Sequence, residues 1–220
     1  MNPSGPRRMV LIGPPGAGKG TQAQAISAQV EVPHVSTGDL FRRNIREGTD
    51  LGLAAKAYTE RGELVPDGIT MSMVGVRLAE PDAADGFLLD GFPRNLDQAR
   101  YLDEALRRSG HAVDAVLELQ ASPDEVVRRL AGRRTCGSCG QVSHVEFSPS
   151  RVDGICDPCG GELLQRDDDH EDSIRRRMEL YAEQTTPLLD RYLELGVLVR
   201  IDAHGPVDVV EKRVAEALAD

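Results

Sequence analysis

The sequence predicts an α/β fold in which a parallel sheet is covered by helices on both faces. Short apolar runs alternate with helical segments along the 220-residue chain, a pattern typical of parallel strands joined by helical crossovers. A glycine-rich loop directly follows the first apolar run and opens the first helical segment. Two internal segments interrupt the alternation, and we expect them to be insertions into the sheet domain.

Five apolar runs are predicted to be the strands of this sheet: residues 10–12, 34–36, 87–89, 115–119 and 197–201. Each run is followed by a helical pattern or by a helix start signal. Ser122, Pro123 and Glu125, for example, form a capping box with proline at the first helical position. Because the strands are predicted to be parallel, the loops at their carboxyl ends should converge on one crevice.

The glycine-rich loop, residues 13–21, reads GPPGAGKGT. Gly13, Gly18 and Lys19 satisfy the Gly-x4-Gly-Lys-Ser/Thr pattern of loops whose backbone N–H groups hold phosphates. Gly20 departs from that pattern, since the hydroxyl residue Thr21 comes one position late. A glycine turn formed by chance is disfavoured by the order of strand, loop and helix. The loop therefore predicts a sheet of the P-loop NTPase type and a bound nucleoside triphosphate.

The composition restricts the classes of partner. A net charge of −10 argues against nucleic acid as the main partner, because a phosphate backbone requires a basic face. Clustered arginines in so acidic a chain indicate a local anion pocket, although some will be paired on helix surfaces. No stretch reaches the apolar length of a membrane span, and no secretory leader is evident. We expect a cytoplasmic protein with no membrane partner, beginning at Met1 or Met9.

The two interruptions define the expected domain organisation. Residues 36–65 are polar and helical, and we call this segment the flap. Residues 132–169 are rich in Gly, Cys, Asp and Pro, and we call this segment the lid, since helices predicted at 124–131 and 171–194 flank it. The core domain then consists of residues 1–35, 66–131 and 170–220.

All four cysteines of the chain lie in the lid, as Cys136-x2-Cys139 and Cys156-x2-Cys159 with sixteen residues between the pairs. Two such knuckles place four thiolates around one tetrahedral point, which is the arrangement of a structural zinc site. Two disulfides are the rival interpretation, but they require an oxidising compartment. A zinc ribbon that reads nucleic acid is a second alternative. The stretch between the knuckles lacks the basic, aromatic surface such a reader needs.

Two further motifs follow strands. Asp90 and Arg94 belong to the sequence DGFPR after the third strand. A carboxylate there can organise Mg²⁺ beside a triphosphate, and the arginine can bind a phosphate with two hydrogen bonds. Residues 36–39, STGD, form a good helix N-terminus and by themselves predict nothing more.

Taken together, these motifs resemble adenylate kinase, in its long-lid, zinc-bearing form. The resemblance runs from about residue 9 to residue 215. The matching segments are GPPGAGKGTQ at 13–22, STGDLFR at 36–42, DGFPR at 90–94 with Gln98, residues 132–134, and RDDD at 166–169.

The resemblance implies the reaction ATP + AMP ⇌ 2 ADP, with Mg²⁺ accompanying ATP and a structural Zn²⁺ in the lid. It implies that the chain binds ATP, AMP and ADP. We expect a monomer, since no exposed apolar stripe stands out in the sequence, and the acidic charge argues against nucleic-acid binding. The ATP-binding residues would be Gly16, Ala17, Gly18, Lys19, Gly20, Thr21, Arg129, Arg133, Val142, Ser143 and Gly205. The AMP-binding residues would be Thr37, Arg42, Glu63, Leu64, Val65, Gly91, Phe92, Pro93, Arg94, Gln98, Arg166 and Arg177.

The catalytic residues implied by the resemblance are Lys19, Asp90, Arg94, Arg129, Arg133, Arg166 and Arg177. Asp168 and Asp169 would orient the arginines or the waters around magnesium. Because no hydroxyl stands beside Lys19, we expect Mg²⁺ to be held through waters organised by Asp90 and by the nucleotides. Ser143 stands where the family commonly has an aromatic residue, so contact with the ATP base there depends on backbone.

Two alternatives remain open at this point. One is a kinase of the same fold that acts on UMP, CMP or GMP, although Thr37, Gln98 and the long lid favour AMP. The other is a P-loop ATPase that binds nucleic acid through a zinc ribbon, which the acidic charge disfavours.

Overall fold

The computed structural model describes residues 7–60 and 65–219. The first half of the chain forms β1 (Arg8–Ile12), α1 (Lys19–Val30), β2 (His34–Ser36), α2 (Thr37–Glu47), α3 (Asp50–Glu60), α4 (Asp67–Leu78), β3 (Phe87–Asp90), α5 (Leu96–Arg108), β4 (Ala115–Gln120) and α6 (Pro123–Gly132). The second half forms β5 (Arg133–Cys136), β6 (Val142–His144), β7 (Leu163–Leu164), α7 (Glu171–Leu180), α8 (Thr186–Glu194), β8 (Leu198–Asp202) and α9 (Val207–Ala219). In the described part of the chain, no helix is long and apolar enough to cross a bilayer.

The main sheet has five strands in the order β2-β3-β1-β4-β8, and every neighbouring pair is parallel. The central strand β1 pairs with β3 through Val10 and Leu89 and with β4 through Val10 and Val116. All five predicted strands are confirmed, with small differences at their ends. Because the strands run the same way, the loops after β1, β2, β3, β4 and β8 lie at one edge of the sheet.

The sheet is buried on both faces, which explains why its strands read as continuous apolar runs. Successive side chains of β1 point to opposite faces: Val10 and Ile12 join one buried cluster, whereas Met9 and Leu11 join another. The first cluster contains Tyr192 of α8, the largest fully buried side chain of the described residues. The second is closed by α1 and α9. The predicted fold class is therefore confirmed.

The two interrupting segments have different architectures. α2 and α3 lie within the flap and pack against α4. In the lid, β5 is the central strand of a small antiparallel sheet, with β6 and β7 on either side. No strand was expected in the lid, because its runs are short and mostly polar.

The segment after the lid was expected to be a single helix over residues 171–194. It contains instead a π-helical turn, Tyr181–Thr185, between α7 and α8. Such turns insert one extra residue and redirect side chains. Here the Thr185 hydroxyl donates a hydrogen bond to the carbonyl of Arg94, 2.9 Å away, so the turn ties this helix to the loop after β3.

Candidate active site

The glycine-rich loop connects the end of β1 with the start of α1, as its sequence predicts. Gly16 and Gly18 have φ values of 79° and 93°, which favour glycine. A Cβ on Gly16 would lie 2.8 Å from Leu130 Cγ, so this position also needs a residue without a side chain. Ala17 is buried, whereas Thr21 is exposed at the start of α1. Among the described residues no side chain caps the helix at Gly18, so its first N–H groups are available to an anion.

Lys19 is the first residue of α1, and its side chain turns back toward the start of the glycine-rich loop. Its ammonium donates hydrogen bonds to the carbonyls of Gly13 at 2.8 Å and Pro14 at 2.9 Å. Burial lowers the pKa of Lys19 from 10.5 to about 8, although the carboxylate of Asp90 acts in the opposite direction. The Lys19 ammonium is therefore held against the backbone of the glycine-rich loop.

Several arginines from separate segments surround this lysine. Arg94, Arg177 and Arg133 each lower the pKa of Lys19 further through their positive charge. Burial lowers the pKa of Arg94, and repulsion from Arg177 adds to that effect. Burial also lowers the pKa of Arg166 to about 10, with Arg133 and then Arg42 as the next causes. The structure thus gathers cations whose mutual repulsion an anion would relieve.

Two acidic residues hold this arginine group in position. The buried Asp169 accepts hydrogen bonds from Arg133, at 2.7 Å from Nε and 2.5 Å from Nη2. Arg177 Nη1 donates to the carbonyl of Asp168 at 2.8 Å and lies 2.9 Å from its Oδ2. Arg166 is oriented differently, since its Nε donates to the hydroxyl of Thr135 at 2.8 Å. Asp169 therefore pairs with Arg133 and Asp168 with Arg177, whereas Thr135 carried no signal in the sequence.

Arg129 bridges two loops at the carboxyl edge of the sheet. Its guanidinium donates to the carbonyl of Ala17 in the glycine-rich loop at 3.3 Å and to that of Ala203, after β8, at 2.9 Å. Glu125, one helical turn earlier, accepts from Nε at 2.8 Å. Gly205 lies two residues beyond Ala203, so it shares this edge with the glycine-rich loop.

Asp90, the last residue of β3, is buried beside the first turn of α1. A Cβ placed on Gly20 would lie only 4.0 Å from Asp90 Oδ2, so a glycine there leaves the space above the carboxylate open. His34 Nε2 lies 3.4 Å from the same oxygen. Thr37 donates its hydroxyl to the backbone carbonyls of Asp90 and Gly91, at 3.3 and 3.0 Å. These contacts tie β2 and α2 to the end of β3.

The loop after β3 carries Gly91, Phe92, Pro93 and Arg94. Phe92 is fully buried, and the peptide bond before Pro93 is cis. The Nε of Arg94 donates to the carbonyl of Gly91 at 2.8 Å. The neighbouring Gln98, in the first turn of α5, is buried and accepts a hydrogen bond from the backbone N–H of Arg94 at 2.7 Å.

The flap and the lid contribute the outermost predicted residues. Arg42 donates to Asp39 at 2.6 Å on the flap surface, and Val65 is buried among flap side chains. Val142 and Ser143 lie on β6, where Val142 is largely exposed and pairs with Thr135 of β5. The predicted residues Glu63 and Leu64 lie outside the described residues.

The four cysteines come together in the lid. Their sulfur atoms all lie within 4.8 Å of one another. The sulfurs of Cys136 and Cys159 are 3.4 Å apart and those of Cys139 and Cys156 are 3.5 Å apart, too far for a disulfide of about 2.05 Å. A tetrahedral zinc with bonds of about 2.3 Å would have sulfurs about 3.8 Å apart.

The backbone around the cysteines supports the same geometry. Each knuckle closes through a matching turn, in which Gly140 donates to the carbonyl of Cys136 and Gly160 to that of Cys156. The backbone N–H of Cys139 lowers the pKa of the Cys136 thiol to about 6, whereas burial raises the pKa of the Cys156 thiol to about 12, so without a metal Cys136 is the more readily ionised of the two. The residues present therefore fit a structural zinc.

The parallel sheet with a glycine-rich loop after its central strand, and the cations gathered at that loop, define a nucleotide-binding protein of the P-loop class. Within this class, the family model described as "Adenylate kinase" matches residues 11–197. The chain belongs to the adenylate kinase family.

Individual relatives match nearly the whole chain. An "Adenylate kinase" of Salinispora tropica is 56% identical over 211 residues, which is 96% of this chain and 97% of the relative. One of Acidothermus cellulolyticus is 55% identical with the same coverage. A more distant one, of Methanocella arvoryzae, is 47% identical over 96% of this chain and 98% of the relative.

Proposed function

We propose that this phosphotransferase catalyses the reversible reaction ATP + AMP = 2 ADP. The observation that carries the proposal is the group of cations around Lys19, brought together from four segments of the chain and repelling one another. A site with this positive charge suits the triphosphate of ATP and the phosphate of AMP placed end to end. Membership of the adenylate kinase family identifies the two nucleotides.

On the donor side, residues 16–21 would hold the phosphates of ATP. Lys19 would stay in contact with the terminal phosphates during the transfer, and the positive end of the α1 dipole would stabilise their negative charge. Arg129 and Gly205 lie at the same edge of the sheet, where they would contact the adenine and the phosphates. Val142 and Ser143 would meet the base from the lid, through the backbone of β6.

On the acceptor side, Arg42 and Arg94 would bind the phosphate of AMP. The remaining contacts would come from Thr37, Glu63, Leu64, Val65, Gly91, Phe92, Pro93 and Gln98. Gln98 would read the edge of the adenine. Arg133, Arg166 and Arg177 would surround the phosphoryl group as it passes between the two nucleotides.

The transfer requires no general base, because the attacking phosphate oxygen of AMP is already ionised at neutral pH. Catalysis then consists of alignment and charge neutralisation. Water must be excluded, since a water molecule in place of AMP would hydrolyse ATP. We assign this role to the flap, residues 36–65, and the lid, residues 132–169, closing over the core domain of residues 1–35, 66–131 and 170–220.

Two metal ions complete the proposal. Asp90 would hold Mg²⁺ through water, in the space that Gly20 leaves open above its carboxylate. When bound, this ion neutralises charge on the phosphates of ATP. Cys136, Cys139, Cys156 and Cys159 would hold a Zn²⁺ that shapes the lid and takes no part in the chemistry, because four protein ligands leave no open position. We further propose a cytoplasmic monomer that acts on free nucleotides.

The test is the rate of diphosphate formation from ATP with AMP, CMP, UMP or GMP offered in turn. We expect AMP to be the preferred acceptor by a wide margin. Lys19→Met should lower kcat by at least about 10²–10³-fold, as loss of a charge-stabilising donor does elsewhere. The matched control is Lys212→Met, which removes an exposed lysine of α9 and should leave the rate unchanged. Equal use of all four acceptors would refute the specificity, and use of none would refute the enzyme activity.

A further inference from the structure

The side-chain amide of Gln98 is held at both ends. Its Oε1 accepts a hydrogen bond from the backbone N–H of Arg94 at 2.7 Å, and its Nε2 donates to Oδ1 of Asp67 at 2.7 Å. Asp67 opens α4 and lies 31 residues before Gln98 in the chain. Since Gln98 is only 3% exposed, water cannot readily replace either partner.

Each of these partners can form its hydrogen bond with only one orientation of the Gln98 amide. A carboxylate can only accept hydrogen bonds, and a backbone N–H can only donate. If the amide of Gln98 turned over, its oxygen would face the carboxylate of Asp67 and its NH₂ would face the N–H of Arg94. Both hydrogen bonds would be lost in a buried place, where unpaired polar groups are costly.

Asn95 reinforces the arrangement from the other side of the carboxylate. Its Nδ2 donates to Oδ2 of Asp67 at 2.9 Å, and its Oδ1 accepts from the backbone N–H of Gln98 at 2.9 Å. Asp67 therefore receives two amide NH₂ groups, one on each oxygen. A neutral amide at position 67 would replace one of these two oxygens with an NH₂ group, which would face the NH₂ of Gln98 or of Asn95 donor to donor.

The held amide keeps one hydrogen-bonding capacity at each end. Oε1 has a second lone pair, and Nε2 has a second proton. The free lone pair of Oε1 can accept from the N6 amine of adenine, and the free proton of Nε2 can be donated to N1 of adenine. A 6-oxopurine presents the reverse pattern, with O6 as acceptor and N1–H as donor.

We propose that Asp67 is a positioning residue for acceptor specificity: it holds the Gln98 amide in the orientation that matches a 6-aminopurine and rejects a 6-oxopurine. This inference rests on the proposed role of Gln98 at the base of AMP. Asp67 would not touch the nucleotide itself. A carboxylate at a helix N-terminus also stabilises the helix, so the test must separate specificity from stability.

The experiment compares AMP with IMP, which differ only at position 6 and at the N1 proton of the base. The measured quantity is kcat/KM for each acceptor at saturating ATP, in the wild type, Asp67→Asn and Gln98→Ala. The matched control is Asp97→Asn, which removes an exposed carboxylate from the same helix as Gln98; this carboxylate pairs with Arg100. Melting temperatures are recorded for all variants, and Asp67→Ser provides a second, smaller replacement whose hydroxyl can donate as well as accept.

We expect Asp67→Asn to lower the ratio of kcat/KM for AMP to that for IMP by about tenfold, the scale of one net hydrogen bond. KM for ATP should stay at the wild-type value, and Asp97→Asn should keep the wild-type ratio. An unchanged ratio in both Asp67 variants, with Gln98→Ala changing it, would overturn the role of Asp67 and leave the proposed function standing. A wild-type enzyme that fails to phosphorylate AMP would instead refute the proposed function.

Discussion

The flap and the lid both interrupt the alternation of strands and helices in the main sheet, but different interactions hold them together. The flap has a small apolar cluster built on Ala55, Val65 and Met73, with Met73 supplied by α4. In the lid, the corresponding buried cluster consists of Cys136, Cys156 and Leu163. The flap is therefore stabilised by packing of apolar side chains, whereas the buried cluster of the lid consists mostly of cysteines.

This difference follows from the secondary structure that each segment can form. Two helices can turn apolar faces toward a third helix and bury them. The lid consists of short strands and turns, and it leaves several large apolar side chains exposed: Val142, Val145, Phe147, Val152, Ile155 and Leu164. A module that buries so little needs a cross-link. The comparison predicts that the two insertions respond separately to metal loss and to core mutations.

The largest effect should come from removing one zinc ligand. Cys156→Ser should abolish stoichiometric zinc binding, unfold the lid and lower activity by at least about tenfold, because structural zinc contributes roughly 10–16 kcal/mol in zinc-finger peptides. Zinc content by metal analysis and protection of residues 132–169 from proteolysis measure the change. Ser138→Ala is the control, since it alters the first knuckle without removing a sulfur. A Cys156→Ser enzyme with a protected lid would contradict the comparison.

An intermediate effect should follow from a mutation that creates a cavity between the flap and α4. Met73 is 4% exposed, and Met73→Ala should lower the free energy of unfolding by about 2–4 kcal/mol. KM for AMP should rise while zinc content stays constant. Leu53→Ala is the control, because Leu53 is 58% exposed and its loss should change stability by less than about 0.5 kcal/mol. If Met73→Ala lost zinc while Leu53→Ala kept it, the flap and the lid would not be independent.

The smallest effect should be a pH dependence of kcat/KM for ATP, which arises from Lys19 and involves neither the flap nor the lid. The pKa of Lys19 is lowered to about 8 by burial, so in the free enzyme its charge is present below that pH and lost above it. We expect kcat/KM for ATP to fall as pH rises through about 8. Bound phosphates favour the charged ammonium, so kcat at saturating ATP should persist to higher pH.

The same lowered pKa gives a stability change of the opposite sign. The folded chain releases the Lys19 proton more readily than the unfolded chain, whose lysine has a pKa near 10.5. This group's contribution to the free energy of unfolding should therefore rise between pH 8 and pH 10.5. A flat kcat/KM profile up to pH 10 would show that Lys19 keeps its proton.

Much of the fold could be predicted from local patterns. Strands buried on both faces leave continuous apolar runs, so all five strands of the main sheet were found. The lid strands β5, β6 and β7 were missed because strands this short have little periodicity to detect. The π-helical turn was missed for a related reason, since one extra residue barely changes a helical pattern.

The residues of the candidate site likewise divide into those that local sequence patterns predict and those that only the structure brings together. The glycine-rich loop and the paired cysteines are contiguous or nearly so, and their spacing alone indicated their chemistry. The contacts of Arg166 with Thr135 and of Gln98 with Asp67 join residues 31 positions apart in each case. No spacing rule connects such residues, so only their positions in space disclose the pairing.

The sequence by itself determined the class of fold, the glycine-rich loop and the set of four cysteines, because each of these depends on residues close together in the chain. The tertiary structure alone decided how the arginines converge on Lys19 and which way the amide of Gln98 points. Those features depend on distances and orientations between separate elements, which are set when the helices and strands pack against one another.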